Sequence, residues 1–354
     1  MSDITRLARP EILGLRPYRA APSATGLVRL NANETPWRPP GDASADGLNR
    51  YPESRPVTLT TRLAEFYGVA AEQVLVTRGA SEAIDLLVRG FCRPGRDDIL
   101  ICPPTFGMYE VYAQLQGAGV VSVPLQTDRG FEPDMDAIPD ALTENTKLLF
   151  ICSPNNPTGN RITTEKIVAL ARCLDGAGIL VVDAAYTEFA DEDPTQELLR
   201  QCDNVVILRT LSKALGLAGI RCGAALGGPA LVDTIGRILP PYSYPTPCQE
   251  AALACLAPQN RAELQRRVAT LRDERDRVTR RLRELPGVGS VWPSEANFVL
   301  IRVAEPARFA ATARQAGFLL RDFSWDPHTP DCLRITIGTR EDNERLLEAL
   351  ACGG

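Results

Sequence analysis

Five short apolar runs, each spilling into a polar loop and most followed by a helical pattern, constrain this chain more than any other feature. They are Val74 to Thr77, Ile99 to Cys102, Leu148 to Cys152, Ile179 to Val182 and Val205 to Leu208. Runs this short and this continuously apolar suit strands buried on both faces. Their alternation with helical patterns from about Tyr51 to Leu239 predicts a mostly parallel sheet with helices on both sides, an α/β fold. Ligands of open α/β sheets bind at the carboxyl ends of the strands. The residues just past each run are therefore the ones to read for chemistry.

Past the last run lies Thr210-Leu211-Ser212-Lys213-Ala214-Leu215-Gly216-Leu217-Ala218-Gly219-Ile220-Arg221. Lysine is scarce; Lys147 and Lys166 are the only others. A lysine becomes a nucleophile when burial and nearby positive charge lower its pKa from about 10.4. Ser212 and Arg221 can hold an anion beside it, Arg221 with a planar, permanently charged fork. An amine beside an anion site suits an aldehyde that carries a phosphate, which is pyridoxal 5'-phosphate (PLP). A Ser-Lys pair in a plain surface loop fits the same twelve residues. Asp183 ends the run Ile179 to Val182, where a carboxylate can keep a pyridine nitrogen protonated; an aspartate capping the next element also fits. Tyr186 follows, within reach of a ring hydroxyl. The loop Ser153-Pro154-Asn155-Asn156-Pro157-Thr158-Gly159 is shaped by its prolines and glycine. Asn156 can donate to a ring oxygen, or can serve an ordinary Asn-Pro turn. At Gly79 the first run turns into a helix whose apolar face holds Ile84, Leu87, Val88 and Phe91. Ser81 reads as its N-cap, and the free amides there attract phosphate; a plain strand-turn-helix explains it too.

These segments, in this order, resemble the PLP-dependent aminotransferases of the aspartate-aminotransferase fold, and among them the histidinol-phosphate aminotransferases. The resemblance extends to Leu30-Asn31-Ala32-Asn33-Glu34, Leu48-Asn49-Arg50-Tyr51-Pro52-Glu53, Pro103-Pro104-Thr105-Phe106-Gly107-Met108-Tyr109 and Cys332-Leu333-Arg334-Ile335-Thr336-Ile337-Gly338-Thr339-Arg340. It implies fold type I, with a large domain built on a mostly parallel sheet and a smaller α/β domain. By position, Lys213 resembles the Schiff-base lysine that also moves the substrate proton, and Asp183 the partner of the ring nitrogen. Asn156 and Tyr186 resemble the pair on the ring oxygen. Ala80, Ser81, Ser212 and Arg221 resemble the phosphate cup, and Phe106 the aromatic stacked on the ring. Tyr51 resembles the residue that reaches the phosphate from the other subunit, which implies an obligate homodimer. Arg334 resembles the arginine on the substrate anion, with Arg321, Tyr18 and Asn33 as neighbours. Without the resemblance, these arginines and tyrosines fit surface ion pairs or packing. Two positions depart from the family: Phe106 stands where tyrosine is frequent, and Ala184 where glutamate is.

The implied reaction moves an amino group between glutamate and imidazole-acetol phosphate, giving 2-oxoglutarate and histidinol phosphate. An aromatic-amino-acid aminotransferase, an amino-alcohol-phosphate decarboxylase of the same fold and a non-catalytic PLP-binding module are the alternatives. A dinucleotide-dependent dehydrogenase is disfavoured, since no Gly-x-Gly-x-x-Gly follows a strand.

Net charge is -5, which argues against nucleic acid as a partner. The arginine-rich stretch from Arg261 to Arg283 does not reverse this: Leu264, Val268, Leu271, Val278 and Leu282 recur at helical spacing, so a long amphipathic helix is predicted. The ten cysteines, none in Cys-x-x-Cys, read as mostly buried thiols in a reducing cytoplasm. No apolar run suggests a membrane span or a signal-peptide core. His328 is the single histidine, so a histidine metal cluster is not expected. The expected organisation is an arm over 1–45, a large cofactor-binding domain over 46–240 and a small domain over 241–354. The proline-rich Pro240 to Pro245 marks the second boundary, and Thr339 with Asp342 has the spacing of a capping box for the last helix.

Overall fold

A computed structural model describes residues 4–18, 20–21 and 27–353, so part of the expected arm lies outside the described residues. Seven strands form one sheet: β1 (Val74–Thr77), β2 (Asp98–Ile101), β3 (Gly119–Ser122), β4 (Thr146–Cys152), β5 (Ile179–Asp183), β6 (Val205–Thr210) and β7 (Gly223–Gly227). Their spatial order is β1-β7-β6-β5-β4-β2-β3. The pairs from β6 through β3 are parallel, and β7 runs antiparallel to both its neighbours. The mostly parallel α/β sheet expected from the apolar runs is therefore present.

Alternation along each strand decides which core a side chain enters. Leu149, Ile151, Leu180, Val182, Val205 and Ile207 join the cluster on one face; Leu148, Phe150, Ile179, Val181, Val206 and Leu208 join the other. Both faces are covered, which is why these runs carry no polar residue inside them. Fully burying one such leucine or valine contributes about 1.5–3 kcal/mol. The helix Ala80–Phe91 covers one face with Ala83, Ile84, Leu87, Val88 and Phe91.

Four further strands, β8 (Val288–Val291), β9 (Phe298–Val303), β10 (Arg321–Asp322) and β11 (Cys332–Thr336), form an antiparallel sheet in the order β10-β11-β9-β8. The predicted long helix spans Arg261–Arg283 and sends Val278 and Leu282 into the core of this second sheet. The last helix, Arg340–Gly353, starts at the expected capping pair: Thr339 accepts from the Asp342 amide at 3.1 Å and donates to its carboxylate at 2.7 Å.

One local expectation fails. Ser81 is not the N-cap of its helix. The helix begins at Ala80 behind Gly79, whose φ of +79° is a region that favours glycine. A Cβ at that position would also come within 2.9 Å of the Arg221 guanidinium. The turn is thus set by backbone freedom and a close approach, not by a capping side chain.

Candidate active site

Strands β4, β5 and β6 lie side by side, with Cys152 opposite Asp183 and Asp183 opposite Leu208. Their carboxyl ends therefore deliver the loop of Asn156, the carboxylate of Asp183 and the segment of Lys213 to one place. Asp183 is 3 % exposed. It accepts from the Tyr109 hydroxyl at 2.8 Å and from the Ala185 amide at 3.2 Å. Burial pushes its carboxyl above the usual range, while those two hydrogen bonds and the Lys213 charge pull it back.

Lys213 opens to the cleft, with its ammonium 5.5 Å from the centre of the Tyr186 ring. Desolvation lowers its pKa most, Arg334 and Arg221 lower it further, and Asp183 opposes them. That is the environment in which an amine loses its proton and becomes a nucleophile or base. Tyr186 is buried edge-on against Phe298 of β9, so the second sheet forms part of the wall.

Arg334, on β11, reaches across to the first sheet and donates to the Asn156 side-chain oxygen. This leaves the Asn156 amide nitrogen as a donor. The Arg334 guanidinium lies over Phe298 at 5.0 Å and Phe323 at 5.4 Å. Among the described residues no carboxylate pairs with it, and its buried Nε has no partner. Arg321 sits opposite Arg334 in the ladder and over Phe323 at 5.7 Å. Neighbouring guanidiniums without a counter-charge, backed by aromatic rings, are an anion pocket.

A second anion cradle lies at the Gly79 turn. Arg221, itself at φ +55°, donates to the Ser212 hydroxyl at 3.4 Å, beside the helix start at Ala80 and Ser81. The amides there are unpaired within the helix and point a positive dipole end outward. Cradle, carboxylate, amine and ring-oxygen donors are the groups PLP requires, so the residues present fit it. When bound, PLP supplies an electron sink for chemistry at the substrate's amine-bearing carbon.

Three expected residues are not brought to this cluster by the described contacts. Tyr51 packs its ring on Tyr242 at 4.8 Å, donates its amide to Glu34 at 2.7 Å and accepts from Arg29. Tyr18 and Asn33 stand exposed, Asn33 in a left-handed conformation. Phe106 is half-buried and meets Tyr109 edge-on.

Sequence reasoning missed three positioning residues. Tyr109 is one. Buried Asn155 is another: it donates to Pro104 at 2.8 Å and accepts from Thr105 at 3.1 Å, tying the Phe106 loop to the Asn156 loop. The third is Arg209 on β6, which binds Glu188 at 2.8 Å and Asp193 at 2.7 Å. It joins the segment after Tyr186 to the strand that leads into Lys213. Tyr109 and Asn155 lie in segments that the sequence marks, Pro103 to Tyr109 and Ser153 to Gly159, but nothing in those segments sets their roles, and Arg209 carried no signal.

Residues 28–350 match the family model for aminotransferase class I and II. A histidinol-phosphate aminotransferase of Stenotrophomonas maltophilia is 44% identical, with 99% of this chain and 97% of that protein covered. One of Aeromonas salmonicida is 41% identical, with 98% of each covered. Among solved structures, a histidinol-phosphate aminotransferase from Sinorhizobium meliloti in complex with pyridoxal-5'-phosphate superposes with a TM-score of 0.76 at 25% identity, over 86% of this chain and 82% of that one.

Proposed function

This chain belongs to aminotransferase class I and II, and from that membership we propose that it exchanges an amino group between histidinol phosphate and 2-oxoglutarate, with PLP as its cofactor. The observation that carries the proposal is the convergence of Lys213, Asp183 and Tyr186 in one cleft with the guanidinium of Arg334, whose Nε has no partner among the described residues. The substrate is supported by the identity to the two relatives named for it. In this assignment Asp183 faces the cofactor's ring nitrogen. Asn156 and Tyr186 hold the ring oxygen, Phe106 covers the ring, and Ala80, Ser81, Ser212 and Arg221 hold the phosphate. Lys213 attaches the cofactor and carries the proton at the substrate carbon. The purified protein, given histidinol phosphate and 2-oxoglutarate, is expected to form glutamate. Glutamate formation only from aromatic amino acids, or carbon dioxide release from an amino acid phosphate, would replace the proposal with the corresponding alternative.

Arg334 is assigned to the anion of both substrates, the phosphate of one and a carboxylate of the other. Losing a desolvated charge partner costs about 2–5 kcal/mol. Arg334→Ala should therefore lower kcat/KM for histidinol phosphate and for glutamate together. Arg334→Lys should recover only part, because an ammonium lacks the planar fork. If one substrate is impaired and the other untouched, a single shared pocket is wrong and Arg321 becomes the better candidate.

The proposal includes a homodimer whose sites are shared through Tyr51, with Tyr18 and Asn33 near the substrate. Leu27, Val28, Leu30 and Trp37 stand 73 to 91 % exposed, and Tyr51 is half exposed, which supports a covered surface there. Homodimers of Lys213→Ala and of Tyr51→Phe, mixed, dissociated and reassociated, should give hybrids in which one site carries both defects and the other neither. Activity above either parent is the expected result; no recovery, with hybrids shown to form, counts against a shared site. The division at about residues 45 and 240 belongs to the same proposal and is supported by the two separate sheets. Cytoplasmic placement is supported by ten free cysteines. No helix among the described residues is long and apolar enough to cross a membrane.

A further inference from the structure

The hydroxyl beneath Asp183 carries an assignment of its own. Tyr109 is fully buried on the helix Met108–Gln116. Its ring stacks on Phe150 with centroids 4.8 Å apart and meets Phe106 edge-on at 5.7 Å. Phenylalanine would satisfy both contacts. The hydroxyl, however, is taken out of water, donates to one carboxylate oxygen, Oδ2 of Asp183, at 2.8 Å, and has the Cys152 thiol as its other hydrogen-bonding neighbour. Among the described hydrogen bonds of this carboxylate, the other is the Ala185 amide on Oδ1.

We propose that Tyr109 is a positioning residue whose hydroxyl holds the Asp183 carboxylate ionised and aimed at the ring nitrogen of the bound cofactor, an inference that rests on the PLP assignment above. Three other titratable groups face Asp183: Lys213, which favours its charge, and the Tyr186 hydroxyl and Cys152 thiol. The thiol and the Tyr186 hydroxyl are themselves pushed upward by burial, so neither supplies a countercharge. Of the groups that oppose the burial of Asp183, the Tyr109 hydrogen bond is the largest. Without it, Oδ2 is a desolvated oxygen with no donor, and the carboxyl takes up a proton at higher pH. A neutral acid offers the ring nitrogen no charge with which to keep its own proton. The same side chain also backs Phe106, so two contacts of the ring depend on it.

Tyr109→Phe removes one oxygen and leaves the Phe150 stack. The test is a carbon-13 titration of aspartate carboxyls in the apoenzyme, with the Asp183 resonance identified by its loss in Asp183→Asn. In Tyr109→Phe its midpoint should move up by roughly one pH unit or more, a tenfold change in proton affinity, the scale of a lost hydrogen bond to a charged group. Affinity of the apoenzyme for PLP should fall about tenfold, and kcat should fall while KM for the substrates changes little. Replacing Tyr109 with 3-fluorotyrosine, a stronger donor of nearly the same shape, should move the midpoint down. Tyr112→Phe on the same helix should change none of these. An Asp183 midpoint that stays put in both Tyr109 variants overturns the proposal. If wild-type apoenzyme takes up no PLP, the functional assignment fails instead, and the carboxyl titration still decides what Tyr109 does to Asp183.

Discussion

Lys213→Ala is expected to abolish turnover, by ~10⁴-fold or more, while leaving a folded protein that still binds PLP. A single proton-transferring side chain contributes about 10²–10⁴-fold, and here the same amine also makes the covalent attachment. The change should not unfold the chain, because Lys213 is exposed to the cleft. Its pKa is lowered chiefly by desolvation and then by Arg334. Lys147 donates to the Glu144 carbonyl and Lys166 pairs with Glu132, both on partly exposed surface. Borohydride treatment of the wild type should therefore leave the cofactor on the peptide that bears Lys213. Labelling of Lys147 or Lys166 would sink the assignment, as would a Lys213→Ala protein that still turns over.

How much of this site could be read from the sequence depends on range. Asp183 closes its apolar run and Asn156 and Lys213 lie in the loops just past theirs, and a run that is buried on both faces puts its end at the ligand edge of the sheet. That inference is local, and the register of β4, β5 and β6 places the three strand ends side by side. Strand β7 was not legible, because Gly223-Ala224-Ala225-Leu226-Gly227 has none of the β-branched residues that mark a strand. Its small residues have a tertiary reason. A Cβ on Gly223 would come within 2.8 Å of the Gly79 backbone, so the turn that builds the anion cradle needs a bare neighbour. Tyr109 and Asp183 lie 74 residues apart, and no spacing rule joins a helix tyrosine to a strand-end carboxylate. Arg209 was hidden for another reason: a charge directly after the apolar run Val205 to Leu208 reads as the start of a solvated loop, and only the fold brings Glu188 and Asp193 around it. The misplaced N-cap at Ser81 belongs here as well, since a positive φ at Gly79 cannot be told from its neighbours' side chains.

Asp183→Asn separates what the carboxylate does for the fold from what it does for the reaction. In the apoenzyme its charge is a liability. Burial raises its pKa in the folded state above the value in the unfolded chain, so the folded state holds the proton more tightly. Stability then falls as pH rises through the carboxylate range, because the native state binds more protons than the unfolded one there. Asparagine carries no charge; its one oxygen can accept from the Ala185 amide while its NH2 donates to the Tyr109 hydroxyl, which reverses that hydrogen bond. Apo Asp183→Asn should accordingly melt at or above the wild-type temperature near neutral pH, with the difference shrinking as pH is lowered toward the acid side of that range. Catalysis should go the other way. The amide cannot supply the negative charge that keeps the ring nitrogen protonated, and removing one preorganised electrostatic partner at a reacting centre costs about 10²–10³-fold in kcat. PLP should remain bound through Ser212, Arg221 and the amides at Ala80 and Ser81, which do not involve Asp183. Thermal unfolding of the apoenzyme across pH, cofactor retention after gel filtration, and kcat with histidinol phosphate measure the three effects independently. A variant that unfolds at neutral pH would make Asp183 a structural residue, and one with near-normal turnover would remove it from the ring nitrogen.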